Sequence, residues 1–268
     1  MSDSLFWKIE CMLPPNVGFT LFGRAHCICL VLCVITVLLL IRLHRSLSPA
    51  MRSRMRRVLA SFLLAAELFK DGVILLQGQS LLGYLPLHLC SFSIFNDLLH
   101  AFSREQSRLR QFTGELGFLL FAPGAVCALC FPNWTSYPML NFMNIHSFLW
   151  HTLILVYPLL LLREEDPPLP RFRHLGWALL FLIALACPVF LFDRVFDRNY
   201  LFLNTPQPGS PLILLEKVFG SSWRLAYAGF VIIVLLLITA FWEYMRCKCM
   251  HLQNIRLREP HRDDHSRE

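Results

Sequence analysis

Charge is scarce in this chain. Only 16% of its 268 residues are Asp, Glu, Lys or Arg, against about 25% in an average soluble domain. Hydrophobic residues make up 56%, with 23 Phe. A deficit spread along the whole length points away from a soluble globule and toward a multi-pass membrane protein. Several chemical signatures are absent as well. There is no Walker loop, no H-E-x-x-H and no G-x-S-x-G, so the sequence calls for no nucleotide, metal or other cofactor. No stretch near the start resembles a cleavable signal, and no internal repeat is evident.

Seven apolar windows remain: Arg24–Leu43, Val58–Leu76, Leu85–Phe102, Phe112–Phe131, Phe142–Leu162, His174–Phe192 and Trp223–Tyr244. Each meets the roughly 17–25 residues a span requires, the third and fourth being the most polar. The runs are continuous rather than alternating, which excludes barrel strands. The expected fold is an all-α polytopic membrane helix bundle of about seven transmembrane helices. Of the 25 Lys and Arg residues, 18 fall on the side of the first, third and fifth connections and the tail, 6 fall on the other, and Lys70 lies inside a span. Basic residues mark the cytoplasmic side, so the N-terminus is expected outside and the C-terminus in the cytoplasm, in the cell membrane. The net charge of +7 is thereby a topological feature and not a nucleic-acid footprint; the expected partners are membrane lipids. Residues 1–250 read as a single bundle domain. Residues 251–268 read as a polar, disordered cytoplasmic tail ending in EPHRDDHSRE.

Polar residues inside the windows are the candidates for function. The third window opens YLPLHLCSFSIF (84–95). Pro86 suits a first helical position, which places His88 in the first turn and Cys90 just beyond it. The field at a helix N-terminus lowers a thiol pKa, and apolar burial raises it. Cys90 shares a face with Ser93 and Asp97. On spacing alone the favoured reading is a small buried hydrophobe. In the fifth window Asn144, Ser147 and His151 form a stripe, with His146 beside it. A histidine near a cysteine suits covalent acyl chemistry, with imidazole as base; a histidine hydrogen-bonded to a neighbouring helix is the competing reading. His26, His88, Cys90, His146, His151, Asn199 and Tyr200 all map to the outer half. Glu67, Lys70 and Asp71 read as an intramembrane ion pair or as part of a proton or substrate path. Glu115 is placed near the cytoplasmic end of its span. Cys127 and Cys130 form a C-x-x-C of low specificity. Cys247 and Cys249 are juxtamembrane and open to lipidation. Asn133-Trp134-Thr135 fits a glycosylation sequon. The sixth connection, NYLFLNTPQPGSP, either folds over the bundle mouth or serves as a linker.

LFGRAH (21–26), LPLHLCSFSIF (85–95), WHTLILVYPLLLL (150–162) and NYLFL (199–203) together resemble the YwaF-like integral membrane proteins of bacteria. That family is remotely similar to an animal multi-pass membrane protein described as an acyltransferase that remodels ether phospholipids through an intramembrane cysteine and histidine. The resemblance implies Cys90 as nucleophile and His151 as its partner, with His146 as competitor, and His88, His26, Asn199 and Tyr200 as substrate-binding groups. Two departures stand out. Trp150-His151-Thr152 replaces Ser-His-Gly, and Gly220-Ser221-Ser222-Trp223-Arg224 replaces a Gly-Pro-Trp-Pro-Trp run. A transporter or a lipid-binding or structural membrane protein is the alternative function.

Overall fold

The computed structural model describes residues 5–164 and 167–258, with side chains through residue 248. The tail from 259 onward and the side chains of Cys249 and His251 lie outside the described residues. The described chain is helical, without strands: α1 (Arg24–Ser46), α2 (Pro49–Leu76), α3 (Leu89–Phe102), α4 (Arg108–Leu116), a π segment (Gly117–Phe121), α5 (Ala122–Cys130), α6 (Phe142–Leu161), α7 (Phe172–Phe196), α8 (Leu212–Phe219) and α9 (Trp223–Arg258).

Each of the seven apolar windows contains a helix, but among the described residues five helical stretches are long and apolar enough to cross a membrane: α1, the continuous run Arg108–Cys130, α6, α7 and the run Leu212–Lys248. The other two miss for different reasons. α2 has the length but carries charged residues in its apolar half, and α3 has only 14 residues. At 1.5 Å per residue α3 is about 21 Å long, short of the roughly 30 Å hydrocarbon layer.

Local chemistry sets the helix boundaries. Pro49 follows Ser48 at the first position of α2, where its missing N–H costs nothing. The Ser107 and Asn141 side chains cap α4 and α6 by accepting the N–H of Arg110 at 3.2 Å and of Met143 at 2.8 Å. The π segment precedes Pro123, whose missing N–H cannot serve an α-helical ladder. It also places Gly117 against Pro158 of α6, where a Cβ would lie 3.3 Å from the proline ring. The two helices thus approach closely.

α6 is the central element, packed on α1, α2 and α5, and α3 lies between α2 and α4. The main core gathers Leu63, Ile94, Leu116, Phe121, Ile154 and Tyr157. Outward faces are apolar too: Leu38 and Leu39 of α1, Trp177 and Val195 of α7 and Leu225 of α9 are each at least 60% exposed. Exposed apolar area on this scale needs a non-aqueous surrounding.

The two ends differ in charge. At one end Glu164 accepts from both Arg56 (3.0 Å) and Arg110 (2.9 Å). There Glu115 is buried and paired with His174 at 2.8 Å. α7 thus supplies a partner that lets the carboxylate stay inside near this end of its span. At the opposite end the N-terminal segment lies over the connection between α5 and α6. Asn141 Nδ2 donates to the carbonyls of Leu5 and Lys8, the Phe142 N–H to Phe6, and the Phe19 N–H to Thr135. Gly18 sits so tightly on this connection that a Cβ would run into the Thr135 carbonyl oxygen. Gly18→Ala should therefore lift the segment and destabilise the protein by about 1–3 kcal/mol, read as a lower thermal unfolding midpoint in detergent.

Candidate functional site

The chain between α2 and α3 approaches Cys90 as irregular backbone. α3 begins at Leu89 with His88 as N-cap residue, four residues after the predicted start at Leu85. Pro86 forces the residue before it into an extended conformation. The local amides are satisfied elsewhere, which corrects the placement of Pro86 at the first helical position. The Tyr200 hydroxyl accepts the Leu85 N–H at 3.0 Å and donates to the Leu82 carbonyl at 2.8 Å. Lys70 Nζ donates to the Tyr84 carbonyl at 3.3 Å. Burial pushes the Tyr200 phenol up to about 12, so it stays a donor at any physiological pH.

Cys90 is consequently the second residue of α3, in its first turn, and is buried. Its sulfur faces α5: an added Cβ on Gly124 would lie 3.7 Å from Sγ. Among the described residues no hydrogen bond joins Sγ to His88, His146 or His151. Cys127 is also on the α5 side, and both Cys127 and Cys130 are free thiols.

The histidines divide into distinct environments. His151 stacks on Trp134, centroids 4.9 Å apart, and its Nδ1 lies 2.7 Å from the Ser147 carbonyl. A carbonyl accepts, so Nδ1 carries the proton and Nε2 is a bare acceptor; among the described residues Nε2 has no partner. His146 Nε2 lies 3.2 Å from the Ala66 carbonyl and so donates to α2. His88 packs on the rings of Tyr200 and Phe202 at 5.0 and 5.3 Å. His88 and His146 both lie near His151 and Lys70. The structure therefore brings His88, His146, His151 and Lys70 together, with Cys90 two residues along from His88. His26 is separate and fully buried. It accepts the Phe22 N–H at Nδ1 and donates from Nε2 to Leu129, both at 2.9 Å, so its polar capacity is spent within the fold.

Lys70 Nζ lies 2.6 Å from Glu67 Oε1 and 3.3 Å from Asp71 Oδ1. Asn199 organises its own loop, donating to Thr205 O and Oγ1 and accepting the N–H groups of Asn204 and Thr205. That loop lies over the mouth of α3 and is strained: Leu201 and Phe202 both have φ 56°, a region L-residues avoid. Arg224, inside the segment that departs from the Gly-Pro-Trp-Pro-Trp pattern, clips the loop by donating to the carbonyls of Leu203 (2.6 Å) and Asn204 (2.8 Å).

Sequence reasoning missed Trp134, noted merely as the centre of a sequon, and the Ser147 carbonyl that fixes the His151 tautomer. A tryptophan in a short connection between two apolar runs was the available signal. Among the described residues no cluster of three His, Cys, Asp or Glu side chains is arranged as metal ligands.

Tyr200→Phe should strand the Leu85 N–H and the Leu82 carbonyl. It should cost roughly 1–3 kcal/mol, seen as a lower unfolding midpoint together with faster maleimide labelling of Cys90.

The chain has no match among curated proteins and none among solved structures. A family model does match, over residues 21–242, a range that takes in LFGRAH, the α3 segment, α6 and the NYLFL loop. This integral membrane protein belongs to the TMEM164 family.

Proposed function

We propose that this protein transfers acyl groups between membrane lipids, with Cys90 as nucleophile and His151 as base, in a seven-span bundle whose N-terminus is outside the cell membrane. The observation that carries the reading is the His151 tautomer. With Nδ1–H donated to Ser147, Nε2 is a proton acceptor at the bundle end where Cys90 opens α3. His146 has already spent its outer nitrogen on Ala66 and is the weaker candidate. The likeness to YwaF-like proteins, and remotely to an ether-phospholipid acyltransferase, supports the same pair. The seven-span topology is supported by the basic residues gathered on alternate connections.

In the proposed reaction the Sγ–H proton moves to His151 Nε2 as sulfur attacks the ester carbonyl of a lipid. The N–H groups of the first turn of α3 favour the developing oxyanion. The carbon–oxygen bond breaks and the leaving alkoxide takes the proton from His151, leaving a thioester on Cys90. A lysolipid hydroxyl then gives its proton to His151 and attacks the thioester, and the returning proton restores the thiol. The bound lipid closes the space between sulfur and imidazole; catalytic hydrogen bonds are commonly loose before substrate is present.

The test is acyl exchange in vesicles containing a phospholipid donor and a lysophospholipid acceptor. Cys90→Ala should abolish exchange, and His151→Ala should slow it by about 10²–10⁴-fold, with membrane insertion unchanged in both. Full activity in Cys90→Ala would overturn the reading. So would an inactive wild type in which Cys90 is no more reactive toward a lipid-like electrophile than Cys187.

A further inference from the structure

Seven residues further along α3, about 10 Å from Cys90, lies a second polar system that acyl transfer does not use. Asn96, Asp97 and His100 are 6%, 1% and 1% exposed. The Asn96 amide spends both N–H groups, on Asp97 Oδ1 at 3.2 Å and on the Thr113 carbonyl of α4 at 3.0 Å. Its own oxygen then has no donor, and neither does Asp97 Oδ2. The Tyr157 hydroxyl of α6 donates to the Asp97 carbonyl at 3.1 Å. That hydroxyl has one hydrogen, so His100 Nδ1, 3.0 Å away, must donate to it. His100 Nε2 is therefore unprotonated, and it too is buried without a partner.

Three buried acceptors thus lie within little more than one turn of α3, and no donor among the described residues serves them. A buried carboxylate needs a counter-charge or a proton. Arg56 of α2 and Arg110 of α4 are both engaged by Glu164. A single proton on Asp97 Oδ2 satisfies at most one of the other two acceptors. A neutral water offers hydrogens and leaves the charge uncompensated. A small cation neutralises the carboxylate and takes a neighbouring acceptor as a further ligand.

We infer that the Asn96–Asp97–His100 cluster binds one small monovalent cation, a sodium or a hydronium ion, with Asp97 Oδ2 and Asn96 Oδ1 as ligands. The ion stabilises α3 where it meets α4 and α6. The titratable and charged groups facing the cluster are His100 on α3, Tyr157 on α6, Arg110 on α4, Arg56 on α2 and Glu164 beyond α6; Glu115 is turned to His174. The inference does not rest on the acyl-transfer reading.

The test is the thermal unfolding midpoint of purified protein in detergent, with sodium chloride replacing choline chloride at fixed ionic strength. A parallel series runs between about pH 5 and 8. With sodium as occupant, the wild-type midpoint rises saturably with sodium and the response is lost in Asp97→Asn. With hydronium it ignores sodium and falls as pH rises, because the native state holds a proton that the unfolded chain releases; Asp97→Asn loses that slope. Asn96→Ala serves as second variant should Asp97→Asn not fold, and it should need several-fold more sodium or a lower pH for the same stabilisation. A wild type insensitive to both, or responses unchanged in the variants, overturns the proposal.

Discussion

A helix of 14 residues leaves part of a bilayer's thickness to something else, and backbone in that zone must find its hydrogen bonds inside the protein. This constraint at α3 organises the end of the molecule where that helix begins. The chain from α2 to Leu89 is irregular, and its exposed amides and carbonyls are met by one phenol and one ammonium. Tyr200 reaches them from the sixth connection and Lys70 from α2. Holding Tyr200 there explains why the loop tolerates two consecutive residues at positive φ, and why Arg224 returns from α9 to fasten Leu203 and Asn204. Residues read from the sequence as substrate-binding or charge-pairing groups thereby share a structural task. They fix the position at which α3 starts and so the position of Cys90.

Apolar windows were legible because lipid-facing and core-facing surfaces are both hydrophobic, and every window contains a helix. The start of α3 was not, because Pro86 is compatible both with a first helical position and with the extended approach it takes. The choice depends on Tyr200, some 115 residues away, which no local pattern records. The pairing of Glu115 was not legible for a similar reason: its partner His174 lies on α7, which α4 alone does not record. His88 and His146 lie near His151. His26 shares their depth but is committed to Phe22 and Leu129. Hydropathy locates a side chain along the membrane normal and says little about its direction around the helix.

α3 carries two polar systems that are kept apart. Ser93 turns its hydroxyl onto the Cys90 carbonyl at 2.6 Å, consuming it within the helix, and Ile94 is buried in the main core between the two sites. Cys90 in the first turn and the Asn96–Asp97–His100 cluster below it are thus separated by Ser93 and Ile94. The cluster contacts α4 just before the π segment, where the helical ladder is already altered ahead of Pro123. Gly117 of that segment packs against Pro158 of α6, the residue after Tyr157.

The bulky Trp150 beside His151 raises the question of access to that imidazole. Its indole N–H donates to the Leu63 carbonyl of α2 at 3.4 Å, so the ring ties α6 to α2 and meets His151 edge-on at 5.3 Å. Thr152 returns its hydroxyl to the Phe148 carbonyl of its own helix. Trp134 covers one face of the imidazole, and Ser147 holds Nδ1. Rotation of the ring would break the stack and the hydrogen bond together, so the orientation is set from two directions and Nε2 is the nitrogen left open. With Trp150-His151-Thr152 in place of Ser-His-Gly, the imidazole therefore keeps one tautomer and an unprotonated Nε2, held by Trp134 and Ser147 rather than by its sequence neighbours.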